Sequence, residues 1–220
     1  MIFKLKNIKL ITIVLMIYFL SSTYSFSLNF DQIKIFNEPN VTDDIEIIFN
    51  NKQHRNYILD LIKAKANFQR GKNLRISNYK KKHKVKIKYK NKVVKANIRI
   101  TGDDYDHLDI EKKISSLRVN LIDDNISGIT KFKLFLPASR NGNNEVFTTV
   151  FLEKLGFLSP YTSNVKVNVR VKGFKYSNND IYFTQGIKMI FQEIPSKILL
   201  ERSNYRDGPI IEGDERQYGE

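Results

Sequence analysis

The chain contains no cysteine, and this absence excludes several kinds of site at once. No disulfide can cross-link the fold, no cysteine can bind zinc, and no thiol can act as a nucleophile. The three histidines, His54, His83 and His107, lie too far apart in sequence to indicate a histidine-rich metal site. Stability must therefore come from a buried core, and the chain is long enough to form one.

The sequence also lacks an apolar run long enough to span a bilayer. The run at residues 10–20 covers eleven positions, whereas a membrane-spanning helix needs about 20. Lys4, Lys6 and Lys9 precede the run, and the small and polar residues SSTYSFS follow it. This order is typical of a secretory signal peptide. We therefore expect residues 1–25 to export the protein to a periplasmic, cell-surface or extracellular location, with an uncleaved membrane anchor as the alternative.

Acidic residues are scarce in one block of the chain. Residues 52–95 contain sixteen Lys or Arg and a single acid, Asp60, whereas residues 96–220 contain seventeen charges of each sign. Within the block, lysines at positions 84, 86, 88 and 90 alternate with Val85, Ile87 and Tyr89. A period of two is strand geometry, with one lysine face and one apolar face.

The lysine face has two interpretations. It is either the solvated outer face of an amphipathic strand, or a positive surface that attracts phosphate, an acidic protein or anionic lipid. No nucleic acid is expected as a partner, because no recognition motif is visible.

Strand and helix patterns alternate along the rest of the chain, organised around residues 129–160. That segment predicts a buried strand at 129–136 and a helix at 145–155 with Val146, Phe147, Val150, Phe151 and Leu155 on one side. Further strands are predicted at 45–49, 84–90, 92–101, 116–121, 165–171, 187–194 and 210–211, and further helices at 55–67 and from Pro195.

These elements predict an α+β fold with a mainly antiparallel twisted sheet of about six to eight strands and two or three packed helices. We expect a single domain over residues 26–220, with residues 42–97 as a basic outer layer and 98–220 as the core. The acidic loop at residues 103–111 has neither the glycine nor the terminal glutamate of an EF-hand, so it is interpreted as a solvated loop and His107 as a surface residue.

Several motifs then occur in an order that resembles a known family. They are IRITGD at residues 98–103, SSLRVNL, ITKFKLFLP, NEVFTTVFLEKLGFLSP, MIFQE and EGDE. This set resembles the CotH-type family of secreted atypical protein kinases over about residues 98–215. Arg99 and Gly102, residues 116–118 and 155–160, and Glu193 fall on the elements of that family.

The resemblance implies an atypical kinase-like fold and phosphoryl transfer from ATP, with Mg²⁺ or Mn²⁺, to Ser or Thr of an acceptor protein. Such chemistry needs cations on the phosphates and carboxylates on the metal. Arg118 is the candidate phosphate contact, and Glu193 the candidate for orienting a basic residue or helping to hold metal. No catalytic residue is assigned.

The chain also departs from the family. Leu117 stands where the family favours an aromatic residue, and the metal-binding aspartates of the family lie in a region that follows residue 220. Neither a Walker A loop nor the H-R-D and D-F-G elements of ordinary kinases occurs. We therefore expect this chain to be the N-terminal part of a CotH-like kinase that is truncated at the C-terminus and is incomplete or inactive as given. The alternative is a non-catalytic exported binding protein that uses its basic strand face on an anionic surface or protein partner.

Overall fold

The structure is a computed structural model that describes residues 44–69, 79–173 and 181–210. The predicted signal peptide and the predicted strand residue Ile211 lie outside the described residues. Within these ranges the chain forms nine strands: β1 (Asp44–Asn50), β2 (His83–Tyr89), β3 (Lys92–Ile100), β4 (Leu108–Asp109), β5 (Ile114–Ser115), β6 (Leu117–Leu121), β7 (Lys131–Phe135), β8 (Thr162–Lys172) and β9 (Ile181–Glu193). The α-helices are α1 (Asn51–Gln69), α2 (Asn144–Lys154) and α3 (Lys197–Arg202), and short 3-10 turns cover Tyr105–His107 and Pro137–Arg140.

Seven of the strands close into a barrel in the order β1-β2-β3-β6-β7-β9-β8. All neighbouring pairs are antiparallel except β1 and β8, which pair in parallel from Asp44 opposite Lys166 to Asn50 opposite Lys172. This parallel pair joins the two ends of the sheet and leaves no free edge. The small β4–β5 hairpin stands apart as its own sheet.

The predicted fold class is therefore wrong. The sequence favoured a kinase-like α+β fold, in which helices pack on an open twisted sheet, whereas the described residues form a closed seven-stranded barrel with few helices. The local elements were predicted better, because the sequence pattern located the barrel strands to within a few residues, except that β9 begins at Ile181, six residues before its predicted start at 187. The closure was missed because it depends on pairing between strands more than a hundred residues apart in the chain, for which no local pattern exists.

The barrel interior is the main hydrophobic core. Inward-facing residues on every barrel strand, such as Ile47, Ile87, Val119, Phe132 and Val167, are completely buried. Alternate residues face outward, so the period-two pattern of each strand divides apolar interior from polar exterior.

Helix α1 closes one end of the barrel. It begins directly after β1, where Asn50 Oδ1 accepts a hydrogen bond from the backbone N–H of Gln53 at 2.8 Å, a typical N-cap. Tyr57 is buried against Phe49 with ring centroids 5.4 Å apart, and its hydroxyl lies 3.1 Å from Ser115 Oγ. No helix among the described residues is long and apolar enough to cross a membrane.

Helix α2 differs from its prediction in how much of its apolar side is buried. Val146 and Val150 pack against Phe135 and Ile190 on the outside of the barrel. Phe147, Phe151 and Leu155, which were predicted to share the apolar side of the helix with them, are exposed. The barrel wall is covered by a narrower strip of this helix than its sequence predicts.

Three buried titratable groups lie in the contact between α1 and the barrel. Burial, reinforced by the charge of Lys113, lowers the pKa of His54 from 6.5 to about 4. His83 Nε2 lies 3.1 Å from Asp60 Oδ2, and burial lowers the pKa of His83 although the carboxylate acts in the opposite direction. Both imidazoles are therefore kept neutral in the folded state at neutral pH.

We predict that folding stability falls as the pH drops from about 6.5 to 4. Over that range the unfolded chain binds a proton at His54 and the native chain does not, so protonation favours unfolding. The loss from His54 should be on the order of 2 kcal/mol and should stop below about pH 4. Urea denaturation across this range should give a flatter pH dependence for His54→Gln, and an unchanged slope would show that His54 does not cause it.

Candidate functional site

The two predicted site residues lie on opposite faces of the barrel wall. Arg118 is opposite Arg99 on β3 and Lys133 on β7, in a row of outward-facing side chains. Glu193 is opposite Phe132, whose side chain is completely buried in the interior. The structure therefore does not bring Arg118 and Glu193 together, and each belongs to a different region.

Arg118 lies between two other cations, Arg99 and Lys133, on the neighbouring strands. Burial and the adjacent charge of Arg118 lower the pKa of Arg99. Like charges directly opposite each other on a sheet destabilise it. In the described part of the chain, no carboxylate forms a salt bridge with Arg99 or Arg118.

The surrounding surface has the same character over four adjoining strands, β2, β3, β6 and β7. Together these strands contain no Asp or Glu. We call their outward-facing cations the basic face: Lys84, Lys86, Lys88, Lys95, Arg99, Arg118, Lys131 and Lys133. With strands about 4.8 Å apart, the face is about 15 Å wide.

Acidic residues approach the basic face at its edges. Glu46 on β1 is directly opposite Lys88 but is paired with Arg170, and Gln192, opposite Lys133, donates to Glu145 on α2. Two more acids lie in the turn between β6 and β7. Asp123 lies 3.1 Å from Lys95 Nζ and Asp124 lies 3.4 Å from Lys92 Nζ. All four side chains are well exposed, and ion pairs of this kind contribute little. The basic face thus keeps most of its positive charge.

Glu193 anchors a second region at the end of the barrel opposite α1. Its side chain is only 1% exposed, and its Oε2 atom accepts a hydrogen bond from Arg202 Nη2 on α3 at 2.6 Å. Oε2 also accepts one from the backbone N–H of Tyr161 at 3.2 Å, while Oε1 is buried without a hydrogen-bond partner. The basic partner of Glu193 is therefore Arg202, and the predicted role of Glu193 in phosphoryl transfer stays a prediction.

Near this ion pair, a cavity of about 300 Å³ opens at the barrel end. We call it the barrel mouth. Ile45, Val165 and Phe191 from three barrel strands form its apolar floor, and Tyr161 and Arg202 lie at its edge.

The acidic loop, which follows β3, has a structural explanation. Gly102 has φ +99°, and a Cβ atom there would lie 2.0 Å from Cγ of His107. His107 is largely buried rather than a surface residue, with 12% of its side chain exposed, and burial lowers its pKa. Among the described residues no group of His, Asp and Glu is arranged to hold a metal ion. Gly102, a residue of the resemblance to CotH-type kinases, is thus required by packing.

Sequence reasoning missed Arg202, Arg99 and Tyr161 as members of these regions. Arg99 could have been found, since its alternation with buried Ile98 and Ile100 indicates an outward side chain. Arg202 and Tyr161 had no such signal, because their positions depend on where α3 and the start of β8 lie at the barrel end.

No protein-family model matches the chain, and no curated protein matches it. The resemblance to CotH-type kinases therefore stays a prediction.

We predict that Arg202→Met destabilises the fold by about 2 kcal/mol, because it leaves the Glu193 carboxylate buried without its cation. Glu193→Gln should cost less, and the double variant should cost about 1–2 kcal/mol less than the sum of the two. Urea denaturation measures these values, with the exposed Arg206→Met as the control. Strict additivity would show that the ion pair contributes no coupling.

Proposed function

We propose that this chain is an exported binding protein without a catalytic role, and that its basic face binds a phosphate-bearing anionic surface. The observation that carries the proposal is the absence of any acidic residue from four adjoining strands whose outer side presents eight cations. A positive field on this scale attracts anionic partners over several ångströms.

The placement of the cations supports binding rather than simple solvation. Lysines that only keep a surface soluble can alternate with acidic residues and still do so. Arg99 and Arg118 instead lie directly opposite each other, so that two like charges are adjacent. Their mutual repulsion is relieved when an anion binds between them, since guanidinium groups form strong charge-assisted bonds with phosphate oxygens.

The shape of the face favours an extended surface over other anions. Lys84, Lys86 and Lys88 are exposed on the outer wall of the barrel, and the concavity of about 390 Å³ beside Lys84, Lys86 and Lys95 is open to solvent rather than enclosed. The only aromatic side chain that points outward from these four strands is Phe135, and it is buried. Single-stranded nucleic acid is usually held by exposed aromatic rings on which bases stack, so it fits this face poorly.

The expected kinase activity gains no support from the geometry. A phosphate contact at Arg118 and a metal or positioning role at Glu193 would have to act on one nucleotide, and the barrel wall lies between the two side chains. Phosphoryl transfer from ATP is therefore the alternative function, and the experiment described below includes a test for ATP binding.

We predict that the chain binds vesicles containing phosphatidylglycerol and not vesicles of phosphatidylcholine alone, with affinity that falls as salt increases. Replacing Lys84, Lys86 and Lys88 by Gln should weaken binding by about two orders of magnitude, because each lysine near an anionic bilayer is worth about 1 kcal/mol. Sedimentation with vesicles measures the change.

The matched control is Lys63→Gln, Lys166→Gln and Lys188→Gln, which removes the same charge from exposed sites outside the basic face. Equal weakening by both triple variants would mean that only net charge matters and would contradict the proposal. If ATP with Mg²⁺ raises the melting temperature of the parent chain and this rise disappears in Arg118→Gln, the result would support the kinase prediction instead.

A further inference from the structure

The barrel mouth has the features of a small-molecule site. Its volume of about 300 Å³ is at the lower limit of typical ligand cavities, which occur preferentially at places such as the ends of barrels. Ile45, Ile129 and Phe191 supply an apolar floor that is rigid, because each is buried in the barrel core. Phe191 is held in turn by Phe132, with ring centroids 4.5 Å apart.

The rim of the mouth carries hydroxyl groups. Ser127, Ser159 and Ser163 reach it from three separate segments, and Ser159 Oγ donates to the carbonyl of Thr149 at 2.9 Å. Ser159 therefore presents its lone pairs to a ligand, while the other two hydroxyls can donate or accept. These groups can satisfy hydrogen bonds of a ligand head from several directions.

The ion pair below the rim fixes the charge of the site. Arg202 lines the mouth with 38% of its side chain exposed, and Glu193 holds its guanidinium from the buried side. Glu193 also bonds both backbone groups of Tyr161, accepting at Oε2 and donating its own N–H to the Tyr161 carbonyl at 2.8 Å. One buried carboxylate thus positions a cation and an aromatic side chain at the rim.

This arrangement discriminates against charged ligands. The carboxylate of Glu193 compensates the charge of Arg202, so an anionic head group would meet little net attraction. Glu153, the other charged residue at the rim, is exposed and would repel an anion. A cationic head would lose its hydration beside a guanidinium, which is costly.

We propose that the barrel mouth binds a small uncharged amphiphile, with its apolar body on the floor and a hydroxyl or amide head at the serine rim and the free guanidinium donors of Arg202. The proposal is independent of the function proposed above, because the mouth opens from the barrel interior and the basic face lies on the outer wall.

The test uses three eight-carbon probes that differ in the charge of the head: 1,2-octanediol, octanoate and octylammonium. Each is titrated into the full chain, and the melting temperature is followed, since a ligand that binds only the native state raises it. We expect 1,2-octanediol to raise the melting temperature at the lowest concentration. Octanoate or octylammonium acting as well or better would overturn the assignment of an uncharged head.

Two variants of Ser163 locate the binding. Ser163 faces the cavity from β8, so Ser163→Phe should fill the mouth and weaken 1,2-octanediol binding by about tenfold or more, while both members of the ion pair stay in the chain. Ser163→Ala keeps the cavity open but removes one of the three rim hydroxyls, so it should weaken binding less than Ser163→Phe does. A probe that binds Ser163→Phe as well as it binds the parent, or no probe binding to a folded parent chain, would overturn the proposal.

Discussion

The parallel pairing of β1 with β8 is the constraint on which the rest of the structure depends. It joins the first described strand to one more than a hundred residues later, and in doing so closes the sheet into a barrel. Closure gives every strand an inside and an outside, and removes the edges at which a sheet would pair with other chains. The inner rows form the core, and the outer rows are left to solvent or to partners. The chain achieves this without disulfides, by burial of the barrel interior and of α1 at one end.

The division between inside and outside also separates the two candidate functions. The outer wall between β2 and β7 collects positive charge because its strands have no acids with which to neutralise it. The interior reaches the surface at the barrel mouth, where the buried Glu193 holds Arg202 in place. A protein built in this way can hold an anionic surface on its flank and a small molecule at its end, with neither site obstructing the other.

The local structure could be predicted from the sequence, because alternation of Val85 and Ile87 with lysines, or of Phe132 and Leu134 with lysines, is imposed by burial of one strand face. The site could not be predicted in the same way. Arg118 and Glu193 were assigned to one function from the order of motifs, but whether two side chains share a face depends on strand register and on closure. Phe147 and Phe151 show a related limit: an apolar stripe on a helix indicates which side is apolar and not how much of it the barrel covers.

The absence of cysteine allows a direct test of the central claim, that the basic face is the surface that meets the anion. Single cysteines introduced as Lys86→Cys, Arg118→Cys and Lys188→Cys can each be labelled with a thiol reagent, at rates that depend on access to the thiolate. With phosphatidylglycerol vesicles added, labelling at positions 86 and 118 should slow strongly, while labelling at 188, on β9, should not change. Equal protection at all three positions, or protection at 188 alone, would contradict the account.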